Sequence, residues 1–490
     1  MKTYLLPSLV LVLVAVSTVC ASAANFYISA SGPSGDGSGS SAANAADAST
    51  QDKFRTINES QKSPGTVITY GPGTYEVSPA FTMYDGVTHQ GAGIDATIIK
   101  VADGSAAGSF APMWLAGKGT ISNFKFTDAT IDFNSTHTAW WAKGKGMSMA
   151  FAFSTADHCT IQRVKFINIG ARGMESFPVF FDIGGSANGN INHNLVDSCI
   201  FTQPIASGNK DGGLTCIQMA DSLPGITTDT TNVVSNNKFL NLKYPEYSDL
   251  GYAQCCSCPV ATNNTATGVD SLWFVEPGSS GPGPISTFTG VTVQVKDNTT
   301  TDSGPIALIL MHPNGTFGNI DVENNTVGMT QAPYKFQGPS VPTGFAVATY
   351  WPGDSAVGNI TVQNNTFTAP LPLIKPPVVV QANPTAPNKF HVASLSVLNN
   401  TLVNFPQNGK AYNVATEANS VVCRAEIPHG EWAGWKFDPS PNPSPLKPEQ
   451  FEMVTSDGNT PRTFSGKVVG PGSMEGVEVG IVSLADIRAE

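Results

Sequence analysis

Apolar and polar residues alternate in short runs along this chain, and many of the runs end at an asparagine. Val291-Thr-Val293-Gln-Val295-Lys296 sets three valines on one face and polar groups on the other, and Ile320-Asp-Val322-Glu323 and Ile360-Thr-Val362-Gln363 repeat the pattern. A period of two carried by β-branched residues predicts strands, not helices. The runs close with one unit: an aliphatic residue, any residue, Asn, Asn, a small or polar residue, then an apolar one. It is complete at Val234–Phe239, Val322–Val327, Val362–Phe367 and Val397–Leu402. Degraded copies stand at Ile121–Phe126, Ile161–Phe166, Val196–Phe201 and Val295–Thr300.

The third position of the unit falls at Asn123, Arg163, Ser198, Asn236, Asp297, Asn324, Asn364 and Asn399, in steps of 40, 35, 38, 61, 27, 40 and 35 residues. A strand-and-corner unit repeated at a bounded interval predicts a solenoid, each turn burying its apolar face against its neighbours. Asn tolerates the left-handed backbone region and bonds locally, so it marks a corner. Stacked corners can align asparagine side chains into an amide ladder. The connections are too long for hairpins, which predicts parallel pairing. The fold class expected is therefore all-β, a parallel β-helix whose loops vary in length on one or two faces.

The N-terminal region leads to the same fold. Phe26–Gly32 reads as a strand running into a Gly/Ser-rich loop, and Phe54–Ser60 as a short helix able to plug an open end. Thr66–Tyr70, the turn Gly71-Pro72-Gly73, Thr74–Val77 and the turn Gly91-Ala92-Gly93 follow. This order resembles the start of the pectate-lyase-like right-handed parallel β-helix superfamily. With the Asn-Asn coils, the resemblance spans roughly residues 25–405. It implies a right-handed solenoid with an N-terminal cap helix. The superfamily holds lyases, hydrolases, epimerases, esterases and non-catalytic adhesins, so it implies no single activity.

Met1–Ala23 reads as a secretory signal, with Lys2, an apolar run from Leu5 to Val16 and a small-residue cleavage site at Ala21-Ser-Ala23. The run is short for a membrane anchor, and no later segment is apolar enough to span a bilayer. The expectation is an exported, soluble protein, extracellular or periplasmic, and a monomer. Residues 24–405 form the β-helix in this reading. Residues 406–490 form a C-terminal β cap or a small appended segment with a Pro-rich loop at 438–448. Seven cysteines remain after the signal. Cys255-Cys256-Ser257-Cys258 falls in the 61-residue step, which predicts a loop stapled by disulfides. Cys159 and Cys199 lie close to equivalent coil positions and read as stacked core thiols. Nine Asn-x-Ser/Thr sequons occur; those at Asn324, Asn364 and Asn399 belong to the repeat, where the side chain is expected to point into the corner.

The net charge is −11, which speaks for solubility and against nucleic acid as a partner. Lys118, Lys125, Lys143, Lys145, Arg163, Lys165 and Arg172 nevertheless cluster between residues 118 and 172, opposed there by Asp128, Asp132 and Asp157 alone. Trp140 and Trp141 lie in the same stretch. Indole rings stack on sugar faces and cations pair with acidic groups, so Trp140, Trp141, Lys143, Lys145, Arg163 and Lys165 are candidate contacts for an acidic polysaccharide. Scattered surface lysines and a Trp pair covering the core explain the same residues without a ligand.

Asp157-His158-Cys159-Thr160 resembles the Trp-Ile-Asp-His segment of pectate lyases, but the Arg-x-Pro-x-x-Arg element of that family is missing. Asn209-Lys210-Asp211-Gly212 is similar to the Asn-Thr-Asp-Gly of polygalacturonases, but none of their other motifs follows. The chemistry is then argued by residue type. β-Elimination on a uronate polymer needs a base for the C5 proton and a cation or calcium on the carboxylate. Arg172, Lys210 and His158 are candidates for base or neutraliser, and Asp182, Asp197 and Asp211 for calcium ligands. Hydrolysis needs two carboxylates, for which Glu175, Asp182, Asp197 and Asp211 are available. The expectation is a secreted carbohydrate-active enzyme, a lyase before a glycoside hydrolase, with a non-catalytic polysaccharide-binding β-helix as the rival. Copies of the repeat are most degraded at Asn123, Arg163 and Ser198, which places function between residues 120 and 220.

Overall fold

The computed structural model describes residues 24–78, 80–105, 110–116, 120–134, 147–169, 176–181, 191–202, 214–219, 231–240, 242, 253–275, 277, 286–329, 344–349, 354–368, 378–381, 390–398 and 400–403, and beyond these six strands between 412 and 479. Among them the pairing is parallel throughout except for one antiparallel match, Gly476–Val479 on Ala425–Pro428. Strands form a 26-stranded sheet that bends around a corner of the coils, a 12-stranded sheet, and a 3-stranded sheet of Thr120–Ser122, Thr155–Asp157 and Ile191–Asn192. This is the right-handed parallel β-helix expected. Parallel pairing continues past residue 405, through Tyr412–Thr416 on Met453–Thr455.

Alternation places the core as the sequence pattern predicts. Val293, Val295, Ile320, Val322, Ile360 and Val362 are fully buried, and Phe166, Phe201 and Phe239 stack above one another at 4.7 and 5.1 Å. The 12-stranded sheet differs, because its strands Ser271–Val275 and Ala307–Met311 are buried on both faces. Trp273, Ile309 and Val347 join the main core, while Phe274, Leu308, Leu310, Ala346 and Ala348 form a separate apolar cluster. The helix Gln51–Ser60 is capped by Thr50 and seats Phe54 among Tyr70, Tyr75 and Phe81. Gly91 has a specific reason to be glycine: a Cβ there would lie 2.1 Å from the Asp128 carbonyl oxygen.

Two corners of the described coils are turned with one device, a left-handed residue followed by a buried one. At the first corner the left-handed residues are Gly86, Asn123, His158 and His193, and at the second Asp128, Arg163, Ser198, Asn236, Asn263, Asp297, Asn324 and Asn364. The residue after each second corner from Asn236 onward is a buried asparagine, giving a ladder Asn237–Asn264–Asn298–Asn325–Asn365–Asn400. Each Nδ2 donates to a carbonyl one coil back, as Asn298 does to Ala261, and those from Asn237 to Asn365 donate also to the next Oδ1. A shorter ladder, Asn194–Asn232, runs along the first corner.

Three expectations change. Asn123 belongs to the first corner, so the register mate of Arg163 is Asp128 and that of Lys165 is Thr130. The 61-residue step is two coils, because Asn263-Asn264 is a further copy in which Ala266 stands where Phe or Val is usual. Consequently the Cys255–Cys258 segment is no inserted loop: Ala253–Ser257 is a strand of the 12-stranded sheet, and Cys258 is a buried free thiol. In the Asn-Asn unit it is the second asparagine that points inward; Asn263, Asn324 and Asn364 are exposed. Cys423 lies outside the described residues. Among those residues, no helix is long and apolar enough to cross a membrane.

Candidate functional site

The first corner of three successive coils brings together the densest chemistry among the described residues. Strands Thr120–Ser122, Thr155–Asp157 and Ile191–Asn192 pair in register, so Asp157 lies between Ser122 and Asn192. The next residues, Asn123, His158 and His193, have φ of 57°, 57° and 55°. The left-handed region costs an ordinary L-residue about 1 kcal/mol or more, though Asn, Asp and His occur there more often than most. It turns each side chain outward, while Phe124, Cys159 and Asn194 turn into the core.

His158 and His193 are one coil apart, and their rings stack at 4.3 Å with 12° between planes. Both reach the same oxygen: Asp157 Oδ1 lies 2.9 Å from His158 Nδ1 and 3.2 Å from His193 Nδ1. A carboxylate only accepts, so each Nδ1 donates to it, which in a neutral ring leaves Nε2 as the acceptor. Burial would raise the Asp157 carboxyl, but the bonds from His158 and His193 outweigh it and hold the group below its ordinary value. All three side chains are exposed by roughly half: 40% for Asp157, 54% for His158 and 45% for His193. Two imidazoles oriented by one carboxylate can accept a proton, carry a positive charge, or ligate a metal.

The other predicted residues are placed as follows. Arg163 is held by Asp128 in a two-pronged pair, Nε to Oδ1 at 2.6 Å and Nη2 to Oδ2 at 2.8 Å. The Arg163 guanidinium in turn keeps the Asp128 carboxyl low. Lys165 donates to Asp95 at 2.8 Å, a partner two coils upstream that lies outside the basic stretch. The local positive charge read from the sequence is thus neutralised at both positions. Asp197 accepts from Gln162, Ser198, Ser235 and Asn236, two donors on each oxygen. That engages the four lone-pair sites of a carboxylate, so a calcium ion there would have to displace protein donors. Trp140, Trp141, Lys143, Lys145, Arg172, Glu175, Asp182, Lys210 and Asp211 lie outside the described residues.

Sequence reasoning named His158 but missed His193. The signal was present in the spacing: 35 residues separate the two, the same step as Arg163 to Ser198.

No protein-family model matches this chain, and no curated protein matches it in sequence. Solved structures are similar to it over most of its length. The family 28 exopolygalacturonase of Yersinia enterocolitica shares 11% identity at a TM-score of 0.47, covering 76% of this chain and 70% of its own. The mannuronan C-5 epimerase A-module of Azotobacter vinelandii shares 15% at 0.38, covering 74% and 86%. A surface adhesin of Streptococcus pneumoniae shares 12% at 0.40, covering 88% and 95%. The likeness is one of fold.

Proposed function

We propose that this protein is an exported enzyme acting on an acidic polysaccharide, a lyase that works at the Asp157–His158–His193 corner. The observation that carries the reading is the pair of half-exposed imidazoles tied through Nδ1 to one carboxylate on an exposed corner. In this reading Asp157 is a positioning residue that fixes tautomer and ring orientation. One imidazole Nε2 takes the proton from C5 of a uronate; the C4–oxygen bond breaks, a C4–C5 double bond forms, and the leaving oxygen is protonated. The neutraliser of the uronate carboxylate is the second imidazole in its charged form, or Arg172 or Lys210, or calcium on Asp182 and Asp211. Trp140, Trp141, Lys143 and Lys145 supply stacking and charge for neighbouring sugars. The hydrolase alternative would use Glu175 with Asp182 or Asp211.

Incubation with a panel of uronate polymers tests this. Ultraviolet absorbance of unsaturated uronate ends supports elimination; new reducing ends without that absorbance support hydrolysis. Silence on every polymer in both assays sinks the enzymatic reading. A second reading, a non-catalytic polysaccharide-binding β-helix, draws on the neutralised pairs Arg163–Asp128 and Lys165–Asp95, whose cations can exchange a protein carboxylate for one on a glycan. Salt-sensitive retention on an acidic glycan without turnover is its signature.

A further inference from the structure

His158, His193 and Asp157 are held together by two shared protons, and a metal ion could take the place of both. The Nδ1–Oδ1 separations are 2.9 and 3.2 Å, and the three candidate ligand atoms lie within 4.8 Å of one another. It is the one such group of His, Cys, Asp or Glu among the described residues. Donors on a tetrahedral zinc ion lie about 2.0–2.2 Å from it, hence roughly 3.3 Å apart. The two imidazole–carboxylate separations are already near that value. The two nitrogens lie within 4.8 Å of each other on exposed rings, so binding one ion requires those rings to turn out of their stack toward a common point.

The backbone beneath is fixed from both sides. Asn123 N donates to Asp157 O and His158 N to Asn192 O, at 3.0 and 3.1 Å. Cys159 N donates to Asn194 Oδ1, and Asn194 is itself bonded into the short ladder. Successive coils set the two histidines one strand spacing apart, about 4.8 Å, so ligands from distant parts of the sequence arrive pre-positioned. Both histidines occupy corner positions that Gly86 and Asn123 fill in the preceding coils.

We propose that Asp157, His158 and His193 bind one divalent transition-metal ion through two imidazole nitrogens and one carboxylate oxygen, with the remaining positions open to water. Two nitrogens and a single oxygen suit zinc, copper, nickel or cobalt, whereas calcium and magnesium seek oxygen-rich shells. The site does not depend on the elimination reading. Where both hold, they compete: the ion occupies imidazoles that the base requires, so zinc lowers turnover.

The test uses the untagged full chain, titrated with Co²⁺ followed by visible absorbance and with Zn²⁺ followed by calorimetry. One ion per chain is expected, with no competition from excess Ca²⁺. His158→Asn and His193→Asn should each reduce binding sharply, and the double variant should abolish it. Asparagine suits the left-handed corner, as Asn123 shows, so circular dichroism and melting should be retained. Absence of Co²⁺ and Zn²⁺ binding by the native chain overturns the site, as does unchanged binding by the double variant. Metal binding without elimination on any polymer leaves the site standing and removes the lyase reading; elimination without metal binding does the reverse.

Discussion

Cys199 and Asn237 occupy the same place in successive coils, and the thiol does the work of the amide. Cys199 Sγ lies 3.6 Å from the Ile161 carbonyl oxygen; Asn237 Nδ2 lies 2.9 Å from that of Val196, the register mate of Ile161. The Cys199 backbone N–H donates to Asn237 Oδ1, as each ladder asparagine does to the next. Cys159 stands likewise at the head of the first-corner ladder, over Asn194. The two cysteines therefore head different ladders and do not stack on each other.

Cys199→Asn should accordingly extend the ladder by one rung, its Nδ2 reaching both Ile161 O and Asn237 Oδ1. The expected result is equal or higher stability, by up to about 1 kcal/mol. Cys199→Ala, which only removes a thiol from a packed site, should cost about 1 kcal/mol. Urea denaturation compares the three chains, and a Cys199→Asn variant less stable than Cys199→Ala refutes the equivalence. Burial pushes both the Cys159 and Cys199 thiols up to about 12, so neither should react with a thiol reagent until the chain unfolds.

The two asparagines of one repeat should respond oppositely to substitution. Asn325 Oδ1 accepts from the backbone N–H and the side chain of Asn298, and its own amide serves Val295 O and Asn365 Oδ1. Asn325→Ala strands several buried polar groups at once and should cost about 3 kcal/mol or more. Its neighbour Asn324 is exposed and needed for its left-handed φ of 57°. Asn324→Gly, which adopts that φ without strain, should stay within about 0.5 kcal/mol of the native chain. Equal losses at the two positions would contradict the division of labour between corner and rung.

The sequence made the strand period, the parallel winding and the amide ladder legible, because each rests on local chemistry that recurs. It did not separate the two corners. Asn123 and Arg163 look alike in sequence since both corners use a left-handed residue before a buried one; only the pairing of Thr127 with Gln162 shows that Asp128 is the true mate of Arg163. Asn263 escaped because Ala261 and Ala266 replace the bulkier residues that flag other copies. The ion pair of Lys165 with Asp95 was illegible for a related reason. It spans two coils, and which residue stands above which depends on loop lengths that no local pattern encodes.

Acid should destabilise the N-terminal coils through His89. This side chain is buried among Tyr70, Trp114, Phe124 and Phe126, and its Nδ1 shares a hydrogen bond with the Tyr70 hydroxyl at 2.5 Å. Burial lowers its pKa from 6.5 to about 3. The unfolded chain then binds a proton below pH 6.5 that the folded chain refuses until about pH 3. Stability contributed by the neutral ring is complete above pH 6.5 and is lost as pH falls from 6.5 to 3, on the order of 4 kcal/mol at the lower end. Unfolding free energies measured across that range for the native chain and for His89→Gln should converge as pH falls. Parallel curves would show that the ring does not titrate on unfolding.

The proposed base makes the sharpest functional demand. If an imidazole Nε2 at this corner removes the C5 proton, the asparagine variant of the histidine that supplies it should lose about 10²–10⁴-fold in kcat, the usual span for a positioned general base, with KM nearly unchanged. The variant of the other histidine should lose less, since it contributes charge and stacking but not the proton transfer. Asp157→Asn should fall between them, because the amide oxygen can still accept from both His158 and His193 but no longer carries the negative charge that holds them. Its loss should again appear in kcat, since Asp157 acts through the imidazoles and not on the polymer. Arg163→Ala provides the contrast, removing a cation paired with Asp128 at the second corner; it should raise KM on an acidic polymer if that pair opens to substrate, and leave kcat alone. A set of variants in which kcat follows Arg163 and ignores both histidines would move the chemistry away from the first corner altogether.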